Sequence, residues 1–165
     1  MSATKQTQLL RVKFKGRKKY LLPISDVHIG APTCDFEKAK GMIQWAIDNE
    51  AYVLCLGDII ENSTRYSVGS GNYEQIMNPQ AQIDTAVEFL RPVAKAKLLL
   101  GMISGNHEDR AMKDSGVDIT KNICSILGVP YLGYTSFIDF HIGKIRYTAF
   151  ATHGSSSSTI LAGKI

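Results

Sequence analysis

The chain reads as an α/β protein whose central sheet is mixed, and three observations predict this. Short apolar runs of strand length alternate with segments in which apolar residues recur at helical spacing. A run of consecutive strands then follows, which a purely parallel sheet would not need. With 165 residues, 44% of them hydrophobic, the chain is long enough for one domain with a sizeable core, so residues 1–165 are read as a single domain.

Each element follows from its own pattern. Residues 9–14 alternate apolar and polar, Gly16 offers a turn, and residues 20–24 return, which predicts a first hairpin. Over 35–49, Phe36, Ala39, Ile43, Ala46 and Ile47 fall on one helix face behind Asp35, a suitable N-cap. Residues 52–56 are continuously apolar, as in a strand covered on both faces. Asn78 and Pro79 are cap and first-turn residues of a second helix, continued by Ile83, Val87, Leu90 and Ala94, with Pro92 expected to kink it or end it early. Residues 98–103 form a third buried strand, and 118–127 a third helix stopped by Gly128 and Pro130. Residues 131–140 and 145–152 read as strands, with a tight turn at Gly143 and Lys144 before the second. There is no internal repeat.

Two segments follow neither period. Residues 61–78, ENSTRYSVGSGNYEQIMN, form a long loop directly after Asp58, either a wall or lid of a site or a surface insertion. The serine run at 155–158 suits a flexible turn or, less simply, a phosphate cradle.

The formal net charge is +4, but residues 11–19 hold six basic and no acidic residues, so the rest of the chain carries 4 − 6 = −2. Val12 and Phe14 alternate with Arg11, Lys13 and Lys15, the pattern of a half-exposed strand whose lysines guard a sheet edge; the other reading is a patch for nucleic-acid backbone. Cys34, Cys55 and Cys124 are odd in number and lack a CxxC, which suits buried, reduced thiols. No apolar stretch is long enough to span a bilayer and the start lacks a secretory h-region, so the expectation is a cytoplasmic protein with no membrane partner.

Polar groups recur at the ends of apolar runs: Asp26 and His28 in "ISDVHIG", Asp58 in "CLGDII", Asn106, His107 and Glu108 in "SGNHED", and His153 in "ATHG". Ligands of open α/β sheets gather at the carboxyl ends of strands, so these groups are expected to share one site. Carboxylate and amide oxygens mixed with imidazoles suit Mn²⁺, Fe²⁺ or Zn²⁺ better than Ca²⁺. Three of the four histidines take part; His141 lies within a strand and is read as structural.

D-x-H at 26–28, G-D at 57–58, G-N-H-E at 105–108 and H-G at 153–154, in that order, resemble the calcineurin-like metallophosphoesterases. The resemblance spans residues 20–154. It implies a four-layer α/β sandwich with a two-metal site, Mn²⁺ first among the ions and Fe²⁺, Zn²⁺ or Ni²⁺ also compatible. Asp26 and His28 would hold one metal, Asp58 would bridge both, and Asn106 and His153 would hold the other. His107 would meet the phosphate as proton donor or charge stabiliser, oriented by Glu108. The stretch "THGSSSSTILAGKI" is also similar to phage-type members, which points to a bacterial or virus-infected host cell. Arg110, Arg65 and Tyr66 are candidates to touch a substrate phosphate.

The family's closing G-H-x-H is absent, and no histidine follows His153. The expectation is therefore a C-terminally truncated version of the fold, lacking its last strands, or a site whose vacant positions are filled by water, another side chain or a second subunit. The function implied is metal-dependent hydrolysis of a phosphomonoester or phosphodiester by a bridging hydroxide. The alternatives are a non-catalytic scaffold with a degenerate site and a DNA-processing nuclease.

Overall fold

The computed structural model describes residues 7–16, 18–64, 67 and 75–154. In chain order the elements are β1 (Gln8–Phe14), β2 (Leu21–Ile24), α1 (Phe36–Asp48), β3 (Tyr52–Cys55), α2 (Pro79–Lys95), β4 (Leu99–Met102), α3 (Asn106–Ser115), α4 (Ile119–Leu127), β5 (Thr135–Ile142) and β6 (Ile145–Thr152). The α/β class is as expected, and the strands form two sheets where the patterning alone predicts one mixed central sheet. One is parallel, in the order β2-β3-β4; the other is mixed, in the order β1-β5-β6.

The expected first hairpin does not form. β1 pairs in parallel with β5, Gln8 opposite Ser136 through Phe14 opposite Ile142, while β2 pairs with β3 in the other sheet. β1 is thus an edge strand, and its exposed Lys13 and Arg11 lie where an edge needs guarding. The second expected hairpin is present, with β5 and β6 antiparallel and Ile142 opposite Ile145 across Gly143 and Lys144.

Helix starts are chemically explicit. The Asp35 carboxylate accepts from the Lys38 N–H at 3.1 Å, Asn78 Oδ1 from Ala81 at 2.9 Å ahead of Pro79, and Asp118 from Lys121 at 2.9 Å. Pro92 falls within the last turn of α2, which runs on to Lys95, so it neither shortens nor interrupts the helix body. α3 was not legible as a helix in the sequence.

Two cores stack the layers. Val53 and Cys55 of β3 face Ile43 and Ala46 of α1, Leu90 and Val93 of α2, and Ile123 of α4. The alternate residue Leu54 faces the other way, with Leu100 and Ile103, against Ile138, Phe140 and Ala151 of the mixed sheet. The order is helices, parallel sheet, mixed sheet; the fourth layer has no counterpart among the described residues. All three cysteines are free; Cys55 and Cys124 are buried as expected, whereas Cys34 is half-buried, and no helix among the described residues is long and apolar enough to cross a membrane.

Asp139 is the one carboxylate in β5. It is 2% exposed, accepts from Thr148 Oγ1 at 2.7 Å and lies 2.9 Å from Arg146 Nη2. The Thr148 hydroxyl and the Arg146 guanidinium hold this carboxyl below the usual aspartate range, against the effect of burial. A depressed folded-state pKa stabilises above the unfolded value, about 3.9, and the contribution is lost as pH falls through the folded one. Asp139→Asn is therefore expected to lower the thermal midpoint at neutral pH. The gap from the parent should close as pH drops below about 4; a gap unchanged across that range in calorimetry would refute the assignment.

Candidate metal centre

The parallel sheet delivers three loops to one edge. β2, β3 and β4 run in the same direction, so Ser25–His28, Gly57–Asp58 and Gly105 all leave from their carboxyl ends. The first two loops continue side by side after the strands stop. Asp26 N–H donates to Gly57 O at 3.2 Å, His28 N–H to Asp58 O at 3.1 Å, and Ile29 N–H to Ile59 O at 2.9 Å. Asp26, His28 and Asp58 each take positive φ, at 55°, 53° and 52°. Left-handed backbone costs L-residues about 1 kcal/mol each, and such strain concentrates at functional sites. The Gly57 and Gly105 backbones meet: a Cβ on Gly57 would stand 2.5 Å from Gly105 Cα, and one on Gly105 would collide with Asp58 Oδ1.

Asp58 is the centre of the cluster. It is 2% exposed, and Oδ1 accepts from the His107 backbone N–H at 2.9 Å. Three imidazoles turn Nε2 towards its other oxygen, Oδ2: His153 at 3.2 Å, His107 at 3.7 Å and His28 at 4.0 Å. In each ring Nδ1 is engaged elsewhere, and two of those partners can only accept. His153 Nδ1 donates to Leu56 O at 2.8 Å, His107 Nδ1 to Glu61 O at 2.6 Å, and His28 Nδ1 lies 3.0 Å from Glu61 Oε2. With the proton on Nδ1, the neutral tautomer presents a bare Nε2 to a carboxylate oxygen. Asn106 Oδ1 adds a further acceptor 2.9 Å from His153 Nε2. Electron-rich atoms converging in a half-buried place call for positive charge between them, and metal-binding histidines are oriented in this way through their distal nitrogen.

Two ligand groups emerge, and both include Asp58: His28, Asp58 and His107, and Asp26, Asp58 and His153. The other expected ligands stand around Asp58, with Asn106 Oδ1 beside His153 Nε2, and His107, expected to meet the phosphate, also stands within ligating reach. Asp26 and His28, both with left-handed backbone, stay beside one another, Asp26 Oδ1 3.8 Å from His28 Nε2. Ser25 Oγ donates to Asp26 Oδ2, fixing the exposed carboxylate at the mouth. A cavity of about 560 Å³ opens there, lined by Asp26, His28, Thr33, Cys34 and Lys38 among others.

Glu108 takes a different part from the one expected of it. Its carboxylate accepts four backbone N–H groups, from Asp58 (2.9 Å), Ile59 (2.8 Å), Ile60 (3.2 Å) and Gly105 (3.0 Å), and no hydrogen bond joins it to the His107 ring. Burial, reinforced by the nearby Asp58 charge, pushes its pKa up while the N–H bonds oppose the shift. The group that orients His107 is Glu61, which the sequence did not reveal because it sits in the aperiodic loop. Its carbonyl holds Nδ1 of His107 and its carboxylate holds Nδ1 of His28, and the two rings meet edge to face at 4.4 Å between centroids. Arg110 is brought to the site. Its guanidinium lies along the His107 ring, Nη2 2.9 Å from Nε2, and Nη1 donates to Glu61 O at 3.2 Å. Burial above all, aided by Arg110, lowers the His107 pKa.

Gln82, fully buried, was also missed. It accepts from Asn62 N–H at 2.8 Å and donates to Gln75 and Met77 O, while Asn62 Nδ2 donates to His107 O at 2.7 Å. This chain of bonds ties α2 to the loop behind the site. Arg65 and Tyr66 lie outside the described residues, and His141 stands in β5, away from the cluster. In comparisons with known proteins, no protein-family model and no curated protein matches this chain.

Replacing Glu108 by Gln puts an amide NH₂ against N–H groups that need an acceptor. Glu108→Gln is expected to lose about 2 kcal/mol of stability in urea denaturation. An unchanged midpoint would show that the four bonds do not hold the loops.

Proposed function

We propose that this protein is a metal-dependent phosphoesterase that hydrolyses a phosphomonoester or phosphodiester. The observation that carries this reading is the convergence of three Nδ1-anchored imidazoles on one oxygen of the buried Asp58, with Asn106 and Asp26 completing the rim. Divalent cations held there, Mn²⁺ foremost, would supply Lewis acidity toward phosphoryl oxygens and acidify water. Asp26, His28, Asp58, Asn106 and His153 are the residues that would hold them.

His107 and Arg110 would act on the substrate itself. Asn106 offers a neutral oxygen, so the site keeps the positive charge that a phosphoryl transition state needs. His107 faces the same centre through Nε2, and its Nδ1 proton is locked on Glu61 O, so the proton it exchanges is the one on Nε2. A lowered pKa makes its imidazolium a stronger proton donor to a departing alkoxide. Arg110, beside that ring, is placed to receive a phosphate oxygen. Glu61 is a positioning residue, since it reaches the chemistry through two histidines.

The test combines binding and turnover. Native mass spectrometry with Mn²⁺ should find two ions per chain, and Asp58→Asn should hold neither; one ion or none on the parent would overturn the dinuclear reading. Mn²⁺-stimulated cleavage of an aryl phosphate should be slowed about 100-fold or more by His107→Ala, with the ions retained. Loss of the ions in that variant would instead make His107 a ligand.

A further inference from the structure

The outer face of the mixed sheet has a composition that the phosphoesterase reading does not use. Residues opposite one another in the ladders share a face, which gives three rows across the strands: Leu9, Phe137 and Phe150; Arg11, Asp139 and Thr148; Lys13, His141 and Arg146. Their alternates, such as Leu10, Ile138 and Ala149, point into the inter-sheet core. The rows therefore face away from the other described elements, none of which covers them.

Phe137 and Phe150 are 45% and 57% exposed, with ring centroids 5.2 Å apart. Next to them stand Arg11 and Arg146, whose side chains are 69% and 61% exposed, and the exposed Lys13. The only carboxylate in the three rows, Asp139, is buried beneath Thr148 and Arg146. The face thus pairs an open aromatic platform with three cations, of which Arg11 and Arg146 share the buried Asp139 carboxylate at 3.8 and 2.9 Å while Lys13 adds a further positive charge. The aromatic row and the Lys13 row are four residues apart, about 13 Å along the strands.

We infer that this face binds single-stranded nucleic acid, with bases stacking on Phe137 and Phe150 and backbone phosphates meeting Arg11, Lys13 and Arg146. Stacking platforms beside cationic tracks are how proteins hold single strands without reading sequence. A duplex keeps its base faces inside the stack and offers the two rings nothing. A second copy docked on the same face would bring three further cations against these three. The inference is independent of the metal centre, which shares no residue with the three rows.

The experiment is fluorescence anisotropy of a labelled oligothymidylate titrated with the full chain in EDTA, between about 50 and 200 mM salt. EDTA separates this result from the metal reading, whose Mn²⁺ binding stands or falls on its own. Binding is expected, with log K falling against log[salt] at a slope of about −2, from roughly 0.7 per phosphate neutralised by three cations. Arg11→Gln with Lys13→Gln should flatten the slope to about −0.7. Phe137→Ala and Phe150→Ala should each weaken binding about five-fold or more. Absence of binding by the parent, or a slope unmoved by the charge variants, overturns the inference. So does a dimer in light scattering that the two phenylalanine variants dissociate, which would assign the face to a second copy.

Discussion

The carboxylate of Glu108, closed inside the protein and bonded to the N–H groups of Gly105, Asp58, Ile59 and Ile60, ties the ends of β3 and β4 together. Past the end of a ladder, backbone donors lose their strand partners and must find others when buried. Here one side chain at the start of α3 serves both loops, so the helix, the strand ends and the turn at Asp58 form a single rigid unit. Gly57 and Gly105 permit it, because their backbones touch where any side chain would collide. The left-handed turns at Asp26, His28 and Asp58 are sustained by this frame and by the loop-to-loop hydrogen bonds at Gly57, Asp58 and Ile59.

On that frame the imidazoles are aimed rather than merely gathered. Each is held by Nδ1, two of them by different atoms of Glu61, and each turns Nε2 to Asp58. The arrangement is costly without a positive charge at its centre, since buried acceptors facing one another are uncompensated. The fold offsets the cost with fully bonded supports such as Gln82, whose amide reaches Asn62, Gln75 and Met77 at once. A half-satisfied polar network would loosen; a satisfied one fixes the geometry.

Much of this was legible in the sequence where local chemistry decides the outcome. Asp35 and Asn78 announce their helices because a cap is a contact across three residues. The apolar runs at β3 and β4 announce buried strands, and the site residues announce themselves by following such runs. Pairing is different: β1 alternates correctly for a strand, but its partner is β5, 128 positions away at Gln8 and Ser136, and alternation carries no information about partners. α3 escaped notice for a plainer reason. Its buried positions are Glu108 and Asp109, so NHEDRAMKDS has no apolar stripe, and it is held by hydrogen bonds that pattern-reading cannot see. Glu61 was hidden likewise, because its importance lies in two histidines, one 33 residues before it and one 46 after.

The two sheets divide the labour, and β6 joins them. Parallel strands bring every crossover back to the same edge, which suffices for Asp26, His28, Asp58 and Asn106. His153 arrives from the other sheet, and does so only because the turn at Gly143 and Lys144 reverses the chain after β5. The register of β6 is fixed by what it buries: Ala149 and Ala151 lie against the inter-sheet core, and Phe150 between them faces outward. A slip of one residue would exchange these faces. It would drive Phe150 into the core, remove it from beside Phe137, and withdraw His153 from Asp58 in the same movement. The small residues of β6 therefore set the metal centre and the open aromatic face together, although the two surfaces share no side chain.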